Sequence, residues 1–268
     1  MIRESESPWS SPLVAVKKKS GETRFAVDFR VLNSMCIPDS YPLPRIDETL
    51  DWLSRKKVFS ILDASAAYWT IPLSEESCEL TAFSTPWGLF EFLVMPFGLT
   101  SAGAVYSRFI QKVLQDGVDP EASEAYLDDI LVGTPDPWEH LEKLREVFEA
   151  HRKAGIKLNP SKTTLFEASV EYLGHQVSSE GIRMIPSYVQ RICDWPRPKD
   201  TQDLRRLIGF FSYYRSFVPH FAEYAAVLNA QRNAEKLEWT PQMEDSLNYL
   251  KEAFRGDQVR AYPVFEEG

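Results

Sequence analysis

Over the first two-thirds of the chain, apolar residues gather in short runs broken by turn-forming residues. Leu13 to Val16 and Phe25 to Phe29 read as two strands on either side of a Ser20-Gly21 turn. Pro38, Pro42 and Pro44 interrupt the chain, and Asp47 and Glu48 open a helix carrying Ile46, Leu50 and Leu53. Val58 to Leu62 is an apolar run of strand length that ends at Asp63, and two short strands flank Pro86-Trp87-Gly88. Thr100 or Ser101 is placed to cap a helix running to Leu114, with Val105, Phe109, Val113 and Leu114 on one side. Tyr126-Leu127 and Ile130-Leu131-Val132 flank Asp128-Asp129, which predicts a tight hairpin with both carboxylates in the turn. Pro137 starts a helix that stops at Gly155, with Leu141, Leu144, Val147 and Phe148 facing inward. Ile156 to Leu158, Thr164 to Phe166 and Val170 to Val177 read as further short strands. Residues 39–183 are therefore expected to form an α+β unit of antiparallel strands with two helices on one face. Beyond the break at Trp195-Pro196-Arg197-Pro198 the period becomes helical, and Thr201 to Val218 is expected to be one helix burying Leu204, Leu207, Ile208 and Phe211.

Composition adds boundaries to this picture. With 268 residues and 44% hydrophobic content the chain can bury a sizeable core in more than one lobe. No apolar run reaches 18 residues, and the first residues lack the apolar stretch of a secretory signal, so no membrane partner is expected. Cys36, Cys78 and Cys193 are far apart, and His140, His151, His175 and His220 have no zinc spacing. These features predict reduced thiols and a cytosolic or nuclear location.

The formal charge of −9 argues against a uniform polyanion-binding surface. Its distribution is uneven. Residues 61–140 hold two Lys/Arg against thirteen Asp/Glu, while residues 1–60 hold ten against eight. The whole deficit lies in the block containing Asp128 and Asp129. Two adjacent carboxylates in a turn repel unless a cation neutralises them, which suggests a hard metal ion held by oxygen ligands; the alternative is that Asp is simply common in turns. Asp63, at the end of a buried strand, is either a strand-terminating cap or a third carboxylate of a two-metal clamp. Lys17, Lys18, Lys19 and Arg24 straddle a hairpin tip, as a solvated charged turn or as a clamp for phosphates.

The ordered segments SPWSSP (7–12), VDFRVLN (27–33), YPLPRI (41–46), FSILD (59–63), IPL (71–73), FLVMPFGLT (92–100), YLDDIL (126–131), YLGH (172–175), EGI (180–182), DWPRP (194–198) and YYRSFV (213–218) span nearly the whole chain. In them it resembles the reverse transcriptases of LTR retrotransposons, of the gypsy type. The resemblance implies a right-hand polymerase fold, α+β, with fingers at 1–38 and 71–101, palm at 39–70 and 102–183, a partial helical thumb at 184–258, and a stub at 259–268 leading towards an RNase H domain outside this chain.

It further implies RNA-directed DNA polymerase activity, with RNA or DNA template, primer and dNTPs as partners, and RNase H and integrase domains fused or separate. Location would be cytoplasmic, including virus-like particles, or nuclear. By motif, Asp63, Asp128 and Asp129 are the implied catalytic carboxylates, and with the Ala64 carbonyl they would hold two Mg²⁺ ions, or Mn²⁺. Lys18, Arg24, Tyr68, Phe97, Gly98 and Lys162 would contact the dNTP: Lys18 and Arg24 at its phosphates, Tyr68 excluding a 2′-OH, and Lys162 protonating the leaving pyrophosphate. Tyr172, Leu173, Gly174 and His175 would form the primer grip. The chain departs from the family at Ser101-Ala102-Gly103, where Asn-Ala-Pro is usual, at Tyr106-Ser107, where Phe-Gln is usual, and at Ala66-Ala67 and Trp69-Thr70 around Tyr68. A decayed or co-opted copy that binds nucleic acid or a protein partner without catalysis is the alternative expectation.

Overall fold

The computed structural model describes residues 1–17, 21, 23–42, 45–53 and 55–256. Lys18 and the 259–268 stub lie outside the described residues. The chain forms two compact units: Met1–Thr49 with Lys57–Glu167, and Leu50–Lys56 with the chain from Ala168 onward.

The first unit contains two sheets. Strands β1 (Ile2–Glu4), β2 (Ser11–Lys17) and β3 (Thr23–Val27) precede helices α1 (Arg30–Met35) and α2 (Ile46–Trp52), the last turn of which belongs to the second unit. Strand β4 (Val58–Asp63), a short helix α3 (Glu75–Cys78), and strands β5 (Phe83–Thr85) and β6 (Gly88–Phe92) follow. Then come α4 (Ala102–Gln115), β7 (Ser123–Tyr126), β8 (Asp129–Thr134), α5 (Pro137–Ala154) and β9 (Thr164–Glu167). One sheet has the order β1-β6-β5-β2-β3, with β2 and β5 parallel. The other, β7-β8-β4-β9, is antiparallel throughout and carries the acidic residues.

Strand alternation divides this second sheet into two chemically distinct faces. Ser60, Leu62 and Ala64 point one way, with Ala125, Ile130 and Val132 from β7 and β8, and pack against Ile110 and Leu114 of α4 and Leu144 and Val147 of α5. Each of the Leu, Ile and Val side chains among them, fully buried, stabilises the fold by about 1.5–3 kcal/mol. Asp63 and Asp129 fall on the opposite face.

Helix α5 starts and stops for local reasons. The Asp136 carboxylate accepts from the Trp138 and Glu139 amides, Pro137 occupies the first turn, and Gly155 takes the left-handed conformation at φ 73°. Its buried face differs from the expected one: Leu144 and Val147 are inside, Leu141 is exposed, and His140 and His151 are buried instead. His140 is admitted because both ring nitrogens are bonded, Nε2 to Ser60 Oγ at 2.7 Å and Nδ1 to Thr134 Oγ1 at 2.8 Å. Ser60 Oγ also accepts from the Phe166 amide, so one polar network ties β4, β8, β9 and α5 together.

Other expectations also shift. Ser101 flanks α4, but its hydroxyl accepts from the Asp39 amide instead of capping the helix. Ile156 to Leu158 is not a strand; Leu158 makes only an isolated bridge to Ala64.

The second unit contains a meander of β10 (Ser169–Tyr172), β11 (His175–Ser178) and β12 (Gly181–Met184), followed by α6 (Pro186–Cys193), α7 (Thr201–Tyr213), α8 (Phe221–Asn229) and α9 (Pro241–Arg255). The expected strand over 170–177 is thus two strands joined at Leu173-Gly174. Helix α7 buries Leu204, Leu207, Ile208 and Phe211 as its period requires, but ends at Tyr213; residues 215–217 tighten into a 3₁₀ turn. No helix among the described residues is long and apolar enough to cross a membrane.

Candidate active site

The acidic turn is displaced by one residue from its expected position. Tyr126 pairs with Asp129, so the two turn residues are Leu127 and Asp128, and Asp129 opens strand β8. Leu127 has φ 54°, and among the described residues of this turn it alone has positive φ, the signature of a type II′ turn. Glycine is the usual residue there, and a leucine side chain costs about 1–2 kcal/mol in such backbone. The conformation persists because the sheet on both sides fixes it: Ala64 N donates to the Asp128 carbonyl at 3.2 Å, and Asp63 pairs directly with Asp129.

Direct cross-strand pairing brings the Asp63 and Asp129 side chains onto the same face, with Asp128 beside them in the turn. The cost of this crowding is visible. Burial first, then the neighbouring carboxylates of Asp129 and Asp63, push the Asp128 carboxyl above the usual range, and Lys162 partly offsets the rise. Asp129 moves the same way, through burial and then Asp63. Asp128 Oδ1 is buried and has no hydrogen-bond partner among the described residues.

Lys162 Nζ lies 3.1 Å from Asp63 Oδ2. The lysine is delivered by a compact turn: Asn159 N donates to the Asp63 carbonyl, Asn159 Oδ1 accepts from Ser161 Oγ, and Lys162 N donates to the Asn159 carbonyl. With Asp63 turned to Lys162, no three His, Cys, Asp or Glu side chains among the described residues converge as a preassembled metal cluster. The residues nevertheless fit divalent cations. Three carboxylates share one end of a sheet, two are held in an unfavourable state by burial and mutual repulsion, and one oxygen is orphaned; oxygen-ligated cations relieve all three conditions.

An aromatic wall adjoins the carboxylates. A short 3₁₀ turn over Ala67–Thr70 presents Tyr68, whose ring meets Phe97 edge-on at 5.2 Å and Tyr106 edge-on at 5.5 Å. Burial, then the Asp128 charge, raise the Tyr68 phenol above its ordinary pKa, so it stays neutral. The Arg24 guanidinium lies 5.3 Å from the centre of the Phe97 ring. Gly98, at φ 95°, needs glycine's freedom, and Asn33 fixes the loop around it: Nδ2 donates to the Gly98 carbonyl and Oδ1 accepts from the Thr100 amide, both at 2.8 Å. Neither Asn33 nor Tyr106 was among the expected site residues. The sequence signal for Asn33 was its place within VDFRVLN; Tyr106 reads as an ordinary core aromatic.

Tyr172–His175 belong to the second unit. Leu173 and Gly174 both have positive φ, 46° and 71°, the two-residue turn that suits a right-twisted hairpin. The turn is held from α7 and the residue after it: Tyr213 Oη donates to the Leu173 carbonyl at 2.7 Å and Tyr214 Oη to the Gly174 carbonyl at 3.0 Å. A Cβ on Gly174 would stand 3.0 Å from Tyr214 Oη, so that phenol would have to shift, and the positive φ strains any larger residue there. The His175 ring is buried against Tyr213, Tyr214 and Phe217, with Nδ1 bonded to the Leu173 carbonyl at 2.7 Å.

Comparison with known proteins agrees with this geometry. Residues 16–177 match the family model described as reverse transcriptase (RNA-dependent DNA polymerase). The chain is 34% identical over 282 residues to the retrovirus-related Pol polyprotein from transposon opus of Drosophila melanogaster, covering 99% of this chain and 28% of that polyprotein. It is 29% identical over 253 residues to the transposon Tf2-3 polyprotein of Schizosaccharomyces pombe, covering 94% of this chain and 19% of that one. The chain thus spans less than a third of the length of these relatives. Among solved structures, the foamy viral protease-reverse transcriptase in complex with dsDNA superposes with a TM-score of 0.85 at 25% identity, covering 97% of this chain and 55% of that chain. A second foamy viral complex with ds DNA gives a TM-score of 0.86 at 25% identity, over 94% of this chain and 45% of that chain. The α+β polymerase fold expected from the motifs is the fold observed, and the chain belongs to the reverse transcriptase (RNA-dependent DNA polymerase) family.

Proposed function

We propose that this chain is the polymerase core of an RNA-directed DNA polymerase, adding dNTPs to a primer 3′-OH on an RNA or DNA template. Residues 1–38 and 71–101 act as fingers, 39–70 and 102–183 as palm, and 184–258 as thumb. The observation that carries this reading is the direct pairing of Asp63 with Asp129 beside the strained Leu127-Asp128 turn. Such an arrangement is costly by itself and useful only where cations and phosphates gather. The family match and the dsDNA in the foamy viral structures support nucleic acid as the partner.

Two Mg²⁺ ions, held by Asp63, Asp128, Asp129 and the Ala64 carbonyl, would supply activation of the 3′-OH and neutralisation of the departing pyrophosphate. Lys162, ion-paired with Asp63, would exchange that pair for the triphosphate and give its Nζ proton to the leaving group. Arg24, beside Phe97 and together with Lys18, meets the β- and γ-phosphates through its planar fork. Tyr68, wedged between Phe97 and Tyr106, presents a rigid ring to the sugar and rejects a 2′-OH by lack of space. Phe97 and Gly98 line the nucleotide pocket, with Asn33 holding their loop. In the second unit, the Leu173-Gly174 turn, braced by Tyr213 and Tyr214, acts as the primer grip. Extension of a DNA primer on an RNA template, with Mg²⁺ and dNTPs, tests the reading; template-directed extension is the expected result.

A further inference from the structure

One buried hydroxyl in the site has no role in this scheme. Tyr106, on the second turn of α4, is fully buried, and its Oη has no hydrogen-bond partner among the described residues. A phenol left so is destabilising, a penalty that a phenylalanine filling the same space avoids. Asp128 Oδ1 is an acceptor in the same condition, buried and without a partner. The two elements adjoin: a Cβ on Gly103, one turn before Tyr106, would lie 3.9 Å from Leu127 Cδ2, and Leu127 is the residue before Asp128. The Tyr106 ring also touches Tyr68. Both phenols feel the Asp128 charge.

We infer that Tyr106 is a positioning residue whose hydroxyl donates to Asp128 Oδ1 once the carboxylate adjusts, satisfying two orphaned atoms with one bond and leaving the other carboxylate oxygen directed at the site. The inference rests on the assignment of Asp128 as a metal-binding carboxylate. A hydrogen bond to one oxygen fixes the rotation of the carboxylate, as outer partners of metal ligands generally do. The same ring meets Tyr68 edge-on, so one residue links the sugar-selecting aromatic to the acidic turn.

A double-mutant cycle tests the bond itself, with no substrate present. Tyr106→Phe is made in the natural chain and in an Asp128→Ala background, and melting temperatures are compared without divalent cation. A bond predicts that Tyr106→Phe lowers Tm by about 3 °C in the natural chain and leaves it unchanged or raised in the Asp128→Ala background. Equal shifts in both backgrounds overturn the inference. The second readout is calorimetric titration with Mn²⁺, where Tyr106→Phe weakens binding roughly tenfold if the hydroxyl orients Asp128. Unchanged Mn²⁺ affinity also overturns it. If the natural chain binds Mn²⁺ weakly or not at all while the thermal cycle shows coupling, the hydroxyl–carboxylate bond stands and the metal assignment fails, so the two failures are distinguishable.

Discussion

Lys162 Nζ stands 3.1 Å from Asp63 Oδ2, an ion pair between residues separated by 99 positions and aligned by the Asn159 turn. Lys162 is mostly exposed, so the pair contributes at most about 1 kcal/mol to stability. In the proposed scheme its value lies in where it puts a proton donor. Lys162→Ala should therefore change Tm by less than about 3 °C, while slowing single-turnover nucleotide addition about 10²-fold. Lys162→Arg should keep the ion pair and recover only part of the rate. A Lys162→Ala enzyme with an unchanged rate removes the residue from the chemistry.

Tyr68 makes its own prediction, because its ring is held edge-on by Phe97 and Tyr106 rather than by hydrogen bonds. Tyr68→Phe should preserve the wall and the preference for dNTPs. Tyr68→Ala should open it and raise ribonucleotide use relative to dNTP by tenfold or more. Competing incorporation of dNTP and rNTP measures this; equal exclusion by Tyr68→Ala refutes the gate.

In the proposed scheme Asn33 would act on the substrate through the loop it holds. Asn33→Ala removes two hydrogen bonds, to the Gly98 carbonyl and the Thr100 amide, with a cost of about 1–2 kcal/mol. Steady-state kinetics should show a several-fold rise in KM for dNTP with a smaller change in kcat. The reverse split would mean that the loop serves the chemical step instead.

The network around His140 predicts a pH dependence of folding. Burial pushes the imidazole down to about 4, below its ordinary 6.5. Above pH 6.5 folded and unfolded chains are both neutral there, and no difference arises. As pH falls towards 4, the unfolded chain takes up a proton that the folded chain refuses, so stability falls, reaching a loss of about 3 kcal/mol near pH 4. Asp128 and Asp129 oppose this, since carboxyls with raised folded pKa take up protons first in the folded chain and stabilise it as pH drops. Urea denaturation at pH 7 and pH 5, for the natural chain and His140→Gln, isolates the histidine: the variant should lose less stability over that interval.

Much of the site was legible in the sequence, for identifiable reasons. Apolar runs located β4 and β8, and the break at Asp63 and at Asp128-Asp129 marked where both strands reach the same edge. Register was not legible. Alternation assigns faces, but a two-residue turn closes equally well one position earlier, and only the pairing of Asp63 with Asp129 selects Leu127-Asp128. Propensity misled there, because leucine is a poor choice for positive φ and the sheet overrides it. In α5 the apolar pattern nominated Leu141, whereas the core took His140, whose two ring nitrogens find hydroxyls from distant strands. Asn33 was legible only as part of a motif, since an amide bridging a loop 65 positions away leaves no periodic trace. Tyr213 and Tyr214 read as aromatics on a helix, and their hold on the Leu173-Gly174 turn depends on the helix ending at Tyr213 rather than Val218.

The acidic edge of the β7-β8-β4-β9 sheet is the proposed seat of nucleotidyl transfer. Primer extension on an RNA template, comparing the natural chain with Asp128→Asn at matched primer–template occupancy, tests it most directly. Asp128→Asn keeps the turn's shape and removes one charge. The expected result is Mg²⁺-dependent extension by the natural chain, reduced at least 10³-fold by the variant, with template binding and Tm preserved. A folded natural chain that binds primer–template yet extends nothing at high enzyme concentration, or an Asp128→Asn variant that extends equally well, would contradict it.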